Sequence, residues 1–429
     1  MRIMCFFPFT FTASGQTARS LIPLSFLLAV LTSCGSTPKT DSKTDPMQDL
    51  SASELLGNPE YPAISYGGYR GVSRSEQPTL AQLKEDMRIL HAMGIRFLRT
   101  YNVQLPHASN VVKAISELKQ ADPSFEMYVM LGAWIDCEGA WTSAPNHAVQ
   151  DFEANGEEIR RAVALAQQFP DIVKVIAVGN EAMVHWAASY FVAPKVILGW
   201  VNHLQGLKAE GELPSGLWIT SSDNFASWGG GGPEYHNADL DSLILAVDYV
   251  SMHTYPFHDT HYNPTFWKGE QFDPADVDGA MARAVAYSQN QYASVVKHVR
   301  RIDPDKPVHI GETGWASVSD GFYGPEGSRA ADEYKQALFY QGMRKWTQSS
   351  GISCFYFEAF DEPWKSAANP TDSENHFGLF TRDGEAKHAI WSLVEEGVFE
   401  GLTRDGHKIR PTYAGQRELL DRHVLNPAP

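Results

Sequence analysis

Eight short apolar segments recur along the sequence, and each ends in a polar, aromatic or glycine-rich stretch. They lie at residues 63–66, 97–101, 127–131, 173–178, 217–220, 249–252, 308–310 and 353–357. Stretches with helical periodicity separate most of them, at residues 80–93, 108–119, 154–168, 196–208, 280–300 and 332–347. Strands that alternate with helices predict a parallel sheet covered on its faces, and eight such units favour an α/β fold of the (β/α)8 (TIM) barrel type. A doubly wound open sheet is the alternative.

The N-terminal residues differ in composition from the rest of the chain. An apolar stretch at residues 21–31 is too short for a permanent transmembrane helix and has the length of a secretory signal core. Residues 31–35, Leu-Thr-Ser-Cys-Gly, follow and resemble a bacterial lipoprotein signal, in which the cysteine carries the lipid. We therefore expect a signal peptide at residues 1–33 and a lipid-modified Cys34. An ordinary signal peptide with an unmodified Cys34 is the alternative.

The residues after Cys34 predict how the chain is organised. A stretch rich in Ser, Thr, Lys and Asp predicts a flexible tether at residues 34–58, ahead of one folded domain at residues 59–429. That domain includes a C-terminal extension outside the barrel. Gly35 provides no inner-membrane retention signal of the aspartate type, so we expect an anchor in the outer bacterial membrane and a domain that faces the periplasm or the surface.

The charge balance and the cysteines limit the partners of the folded domain. The chain has 35 Lys and Arg against 51 Asp and Glu, and this net charge of −16 argues against nucleic acid or another polyanion as a partner. Outside the predicted signal and lipidation site, Cys137 and Cys354 allow at most one disulfide, and two buried thiols are the alternative. We expect a monomer. Residues 227–237, which are rich in glycine, predict a mobile loop.

Two predicted strands run directly into a glutamate. Residues 178–181 are Val-Gly-Asn-Glu, and residues 309–315 are His-Ile-Gly-Glu-Thr-Gly-Trp. In barrels of this kind the working residues lie at the C-terminal ends of strands, and a glutamate there is costly to bury without partners. Retaining glycoside hydrolysis uses two carboxyl groups about 5 Å apart. Glu181 and Glu312 are therefore candidates for such a pair, although a helix cap or a surface ion pair would explain either one alone.

Six sequence blocks occur in a characteristic order. They lie at residues 66–70, 99–101, 178–181, 253–256, 311–315 and 357–365. Together they resemble glycoside hydrolase family 17, the β-1,3-glucanase family, over most of the folded domain. The Asn-Glu pair is shared by the larger clan of retaining barrels, whereas Glu-Thr-Gly-Trp at residues 312–315 and Phe-Asp-Glu-Pro-Trp-Lys at residues 360–365 are specific to the family.

The resemblance implies a role for individual residues. It makes Glu181 the general acid/base and Glu312 the nucleophile, and it implies that Asn180 binds the sugar 2-hydroxyl. Donors such as Arg99 and the Tyr255 hydroxyl would keep the nucleophile ionised, although Tyr255 could equally be a core aromatic.

Further residues of these blocks and of the neighbouring loops are predicted to bind substrate. The resemblance assigns sugar contacts to Glu362 and Lys365, for which a surface salt bridge is the alternative. Flat aromatic rings suit the C–H faces of pyranoses, so Trp315 and, with less support, Trp134 are candidate sugar platforms, with core packing as the alternative. The remaining candidates at strand ends are Tyr66 and Tyr101.

Other polar residues near the strand ends could be mistaken for catalytic or metal-binding groups. The cluster of His253, His258, Asp259 and His261 matches no standard zinc motif, and a retaining glycosidase needs neither a metal nor a cofactor, so we expect none. The rival carboxylates are Asp136, Asp223, Glu358, Asp361 and Glu362.

These features predict an enzyme that cleaves β-1,3-glucan internally through a covalent glycosyl-enzyme intermediate. A glucanosyltransferase that uses the same two glutamates is the nearest alternative, because a sugar hydroxyl can replace water in the second step. A surface glycan-binding lipoprotein without activity is the alternative from another class, and such a protein should lack one of the two carboxylates.

Overall fold

The computed structural model describes residues 50–268 and 275–428 and contains a closed barrel of eight parallel strands. The strands, numbered here in barrel order, are β1 (Ala63–Ser65), β2 (Phe97–Arg99), β3 (Tyr128–Ala133), β4 (Val173–Asn180), β5 (Trp218–Asn224), β6 (Val250–His253), β7 (Val308–Gly314) and β8 (Cys354–Phe357). Each strand pairs in parallel with the next, and β1 pairs with both β2 and β8. The closed barrel confirms the predicted fold and excludes the open sheet. Cys34 lies outside the described residues.

Helices flank the barrel and cover its N-terminal end. They are α1 (Ala52–Leu55), α2 (Leu80–Ala92), α3 (Pro106–Ala121), α4 (Phe152–Gln168), α5 (Pro194–Ala209), α6 (Ala238–Ala246), α7 (Pro256–Tyr262), α8 (Thr265–Lys268), α9 (Val277–Val299), α10 (Glu333–Ser349), α11 (Trp391–Glu395) and α12 (Arg417–Asp421). The six predicted helices correspond to α2, α3, α4, α5, α9 and α10. Two short antiparallel hairpins, Cys137–Glu138 with Asn146–Gln150 and Thr403–Arg404 with His407–Lys408, lie outside the barrel sheet.

The N-terminal end of the barrel is closed by α1. Ala52 and Leu55 are fully buried in one cluster with interior barrel residues such as Phe97 and Phe355. The amide of Ala52 donates to the carbonyl of Gly216, just before β5, at 2.9 Å. The predicted tether therefore ends earlier than residue 58, because this short segment buries apolar side chains against the barrel.

A buried carboxylate on α2 contributes to joining the C-terminal extension to the barrel. Arg404, in the last hairpin, is fully buried and its Nε donates to Oδ1 of Asp86 on α2 at 2.9 Å. Arg70 and the Tyr66 hydroxyl each donate to Oδ2 of Asp86 at 2.8 Å. Tyr66 is fully buried and its hydroxyl is used in this network, so the structure does not support its predicted sugar contact.

The structure also decides the predictions for the two cysteines and for the glycine-rich segment. Cys137 and Cys354 are both buried and unpaired, which confirms the alternative of free thiols. The predicted mobile loop at residues 227–237 is wrong at its start, because Trp228 is fully buried and its indole donates to the carbonyl of Ser251 at 3.0 Å. Within the described parts of the chain, no helix is long and apolar enough to cross a membrane.

Candidate active site

Glu312 lies on β7 near its C-terminal end and is surrounded by hydrogen-bond donors. Arg99 Nη1 lies 2.5 Å from Oε2, the Tyr101 hydroxyl donates to the same oxygen at 2.9 Å, and the Tyr255 hydroxyl donates to Oε1 at 2.5 Å. Burial alone would raise the pKa of Glu312, but the charge of Arg99 and these hydroxyl groups lower it to about 2. Glu312 is therefore ionised at neutral pH, as a nucleophile must be.

Glu181 follows β4 directly and has the opposite character. Its backbone has a φ of 48°, and its amide donates to the carbonyl of Ser222 at 2.9 Å. Its Oε1 lies 3.0 Å from Nδ1 of His253. Burial and the negative charge of Glu312 raise the pKa of Glu181 to about 8. Glu181 therefore carries a proton at neutral pH and can act as a general acid.

Arg99 connects the two halves of the site. Its side chain comes from β2 and is almost fully buried. Nη1 binds Glu312 and the carbonyl of Gly311, whereas Nη2 donates to Oδ1 of Asn180 at 2.6 Å. This contact engages the amide oxygen of Asn180, so the predicted contact with a sugar hydroxyl would use the NH2 group.

His253 is a site residue that the sequence reasoning considered only as part of a metal cluster. Besides Glu181, it contacts the Ser222 hydroxyl through Nε2 at 2.8 Å. Burial lowers the pKa of His253 to about 4, so the imidazole is neutral. One ring nitrogen of a neutral imidazole donates and the other accepts, and this fixes the ring between Glu181 and Ser222. The sequence did contain a sign that His253 belongs to the site, because this residue begins the fourth of the six sequence blocks.

The other members of the histidine cluster do not converge. His258 Nδ1 lies 3.1 Å from the Tyr323 hydroxyl, and His261 stacks on Phe322 at a centroid distance of 4.0 Å. The described residues contain no group of three or more His, Cys, Asp or Glu side chains arranged to hold a metal ion.

A second set of carboxyl groups lies beside the end of β8. Glu358 and Glu362 are both almost fully buried, and Lys365 Nζ lies 3.9 Å from Glu358 Oε1. Burial and the neighbouring Glu362 hold the pKa of Glu358 well above its usual range, while Lys365 opposes that shift. Lys365 Nζ lies 4.1 Å from the centroid of the Phe357 ring, which contacts the rings of Tyr101 and Tyr255, the two tyrosines that donate to Glu312. Substrate binding by Lys365 and Glu362 stays a prediction.

The rival carboxylates have structural partners. Asp223, at the end of β5, accepts from the amides of Met183 and Asn224, both at 2.7 Å. Asp361 accepts from Lys387 Nζ at 2.7 Å and anchors the C-terminal extension. Neither carboxylate takes part in the hydrogen bonds around Glu312.

The two predicted tryptophan platforms differ in exposure. Trp315 is fully buried against Phe257 and Phe339, and its indole donates to the carbonyl of Ala330 at 2.8 Å. A ring in the core cannot stack on a sugar, so the structure contradicts that assignment. Trp134 is partly exposed and lies in a group of aromatic rings after β3.

Comparisons with known proteins agree with this geometry. The family profile of the BtgE/BtgC glycoside hydrolase domain matches residues 63–378. An endo-laminarinase from Formosa Hel1_33_131 is 62% identical, with a TM-score of 0.86, over 88% of this chain and 98% of its own. A glucan 1,3-beta-glucosidase from Arthroderma benhamiae is 27% identical over 72% of this chain and 83% of its own.

Other relatives are more distant. They share only the fold with this chain, or the chain matches only part of their length. A glycoside hydrolase family 17 β-1,3-glucanosyltransferase from Rhizomucor miehei is 20% identical, with a TM-score of 0.54, over 77% of this chain and 96% of its own. The chain spans less than half the length of the fungal btgC proteins that it matches. Because the family profile covers well over half of the sequence and includes both glutamates, the chain belongs to the BtgE/BtgC glycoside hydrolase family.

Proposed function

We propose that the protein is a retaining endo-β-1,3-glucanase in which Glu181 is the acid/base and Glu312 the nucleophile. The carrying observation is the contrast between the surroundings of the two carboxyl groups. A guanidinium and two hydroxyl groups donate to Glu312, whereas Glu181 faces a neutral imidazole, so the pKa of Glu181 is raised and that of Glu312 is lowered. The substrate class and internal cleavage are supported by the 62% identity to an endo-laminarinase. Assignment to family 17 is part of this proposal, supported by the six sequence blocks.

The geometry supports a two-step mechanism. Protonated Glu181 donates its proton to the glycosidic oxygen while ionised Glu312 attacks the anomeric carbon and the leaving sugar departs. Esterification removes the charge of Glu312, and with it the repulsion that raises the pKa of Glu181. Glu181 can then accept a proton from the incoming water, which attacks the anomeric carbon and releases Glu312.

The proposal is tested on linear β-1,3-glucan with wild type, Glu181→Gln and Glu312→Gln. We expect wild type to release a ladder of oligosaccharides, and each variant to lose roughly 10²–10⁴-fold in rate. Early products should be β-anomers by proton NMR, because retention requires it. Initial α-anomers would contradict the covalent mechanism, and undiminished turnover by Glu312→Gln would contradict the assignment of the nucleophile.

The same experiment separates the alternatives. The two glutamates also serve a glucanosyltransferase, which would form products longer than the substrate at high oligosaccharide concentration. A glycan-binding protein without activity would release no product from any β-glucan. The intact and oppositely protonated pair favours catalysis over that last alternative.

We also propose that a lipid at Cys34 anchors the enzyme, as a monomer, to the outer bacterial membrane. The support is the Leu-Thr-Ser-Cys-Gly run after an apolar stretch. Labelling with an alkyne fatty acid should modify wild type and leave Cys34→Ser unlabelled. Label retained by Cys34→Ser, or wild-type protein found in the inner membrane alone, would contradict the anchor or its location.

A further inference from the structure

A carboxylate beside the active site holds one tryptophan, and a second tryptophan lies close to it. The Trp134 indole donates to Oδ1 of Asp136 at 2.7 Å, and Trp141 also lowers the pKa of this carboxyl group, which burial raises. Asp136 itself is only partly exposed. The hydrogen bond holds the Trp134 ring, and the centroid of the Trp141 ring lies 6.3 Å from that of Trp134.

A tyrosine completes this group. Tyr190 stacks on Trp141 with ring centroids 4.9 Å apart and planes 20° from parallel, and its centroid is 5.2 Å from that of Trp134. The Trp141 amide also donates to the carbonyl of Ser189 at 2.9 Å. We call Trp134, Trp141 and Tyr190 the aromatic platform.

The aromatic platform is rigid but largely uncovered at one ring. Trp141 is 61% exposed, although its backbone is fixed at a φ of 64° between the strands of the Cys137–Glu138 and Asn146–Gln150 hairpin. An indole ring that stays exposed to water contributes little to the stability of the fold. An exposed ring whose hydrogen bonds and stacking already hold it in one orientation is suited to binding a ligand without further ordering cost.

The aromatic platform lies on the side of the acid/base. The Tyr190 hydroxyl is 3.5 Å from the carbonyl oxygen of Asn180, the residue before Glu181. The donors of Glu312, by contrast, come from Arg99, Tyr101 and Tyr255. Glu181 protonates the oxygen of the leaving sugar, so a surface that begins next to it faces the leaving-group side of the scissile bond.

We infer that the aromatic platform binds a glucosyl unit on the leaving-group side of the cleaved bond, with Asp136 as the positioning residue of the Trp134 indole, on which the rest of the platform packs. This inference rests on the proposed function and extends it. Aromatic faces stack on the apolar C–H faces of glucose. The same position would receive an acceptor sugar after the first product leaves, so the platform also favours transfer over hydrolysis.

The test maps which bond is cleaved in laminarihexaose labelled with ¹⁸O at its reducing end. We expect Trp141→Ala to shift cleavage toward the reducing end and to lower kcat/KM for the hexasaccharide about three- to tenfold. The loss should be smaller for an aryl β-laminaribioside, whose leaving group is short. Chain-lengthened products at high oligosaccharide concentration should also decrease.

Further variants separate binding from folding. Trp141→Phe keeps a flat ring and should retain the wild-type cleavage map, whereas Asp136→Ala should shift it as Trp141→Ala does. Asp136→Asn keeps an acceptor oxygen and serves if Asp136→Ala does not fold. Phe152→Ala removes another exposed aromatic ring, on α4 against Trp200, and should change nothing.

The outcomes distinguish the two proposals. A wild-type protein that cleaves neither substrate contradicts the proposed function and the platform together. Wild-type cleavage with an unchanged map in Trp141→Ala contradicts only the platform. Equal losses on the hexasaccharide and the aryl glycoside would also overturn it, because they would indicate an effect on the catalytic pair.

Discussion

Glu181 and Glu312 have identical side chains, and the groups around them give them different protonation states. Glu312 accepts from a guanidinium and two hydroxyl groups. Glu181 instead faces the neutral imidazole of His253. The donors stabilise negative charge on Glu312, and that charge in turn favours a proton on Glu181. The division of roles therefore depends on the neighbours of each carboxyl group.

Tyr255→Phe removes one donor from Glu312. Because that hydrogen bond lowers the pKa of Glu312, the variant nucleophile needs a higher pH to ionise. We expect the acid limb of the kcat/KM profile to move to higher pH and kcat to fall roughly 10- to 100-fold. The alkaline limb, where activity is lost as Glu181 deprotonates near its pKa of about 8, should move less.

The matched control for this measurement is Tyr334→Phe. It removes a tyrosine hydroxyl that binds Asp278 on the outside of the barrel, at 2.8 Å. Its pH profile should match wild type. An acid limb that stays in place in Tyr255→Phe would show that the hydroxyl does not control the nucleophile.

The sequence points to the proposed catalytic pair more readily than to the positions of the aromatic rings. Glu181 and Glu312 were predictable because each stands at the end of an apolar strand, where burial needs a chemical reason. Tyr66 and Trp315 each lie one residue beyond a strand end, where strand alternation no longer tells which way a side chain points. The residues of a sequence block can be needed for core packing as well as for substrate binding. Tyr66 and Trp315 are both fully buried and belong to the core.

At the scale of elements, the C-terminal hairpin is held against α2 by a network around one buried carboxylate. Asp86 on α2 binds Arg404, Arg70 and the Tyr66 hydroxyl. The guanidinium carbon of Arg404 also lies 3.9 Å from the centroid of the Phe360 ring. Removing Arg404 breaks a buried ion pair and empties the space against Phe360, although Arg70 remains bound to Asp86.

Arg404→Ala should therefore lower the free energy of unfolding by about 3–5 kcal/mol in urea denaturation. Arg410→Ala is the control, since its pair with Glu385 is exposed and exposed pairs contribute about 0–1 kcal/mol. The rates on β-1,3-glucan of folded Arg404→Ala should stay near wild type. Equal stability losses in the two variants would contradict a special role for the buried network.

The elements that were missed are short or locally atypical. Strands were predictable from eight apolar runs, and long helices from their periodicity. The nine residues of α6 form little more than two turns, and the four residues of α1 barely one, so neither gives a periodic signal. The glycine-rich start of residues 227–237 packs closely because Gly229 and Gly230 lie against α9, where a Cβ would meet His298 and Ser294.

For the whole molecule, the active site reduces stability in a pH-dependent way. The pKa of Glu181 is raised to about 8 from a usual value of 4.5, so the stability linked to its proton is present below pH 4.5 and is lost as pH rises through about 8. Burial lowers the pKa of His107, His253 and His309 to about 4. Their contribution is present above pH 6.5 and is lost as pH falls toward 4.

Glu181→Gln should consequently raise Tm more at pH 9 than at pH 5. At pH 9 wild type holds two negative carboxylates together, and the variant removes one of them. Glu210→Gln, which removes an exposed carboxylate outside the site, should give a similar Tm difference at both values. Thermal scans at the two pH values check this, and a Glu181→Gln effect independent of pH would contradict the linkage.

The global architecture followed from the sequence because eight similar units leave few alternatives to closure. The aromatic platform could not be predicted from the sequence. It depends on a hairpin that stacks Trp141 on Tyr190, and no local sequence pattern indicates this contact. Contacts between distant segments are decided by the packed structure, whereas strand and helix patterns are local.

The barrel closes through residues that are far apart in the chain. Strand β1 pairs with β8, and Asp86 binds Arg404 across 318 positions. During synthesis on the ribosome, an emerging chain has β1 as an unpaired edge until β8 has been made, and its buried aspartate lacks one arginine until the last hairpin emerges. The fold is therefore completed only after β8 and the C-terminal hairpin have been made, and until then chaperones meet an open chain.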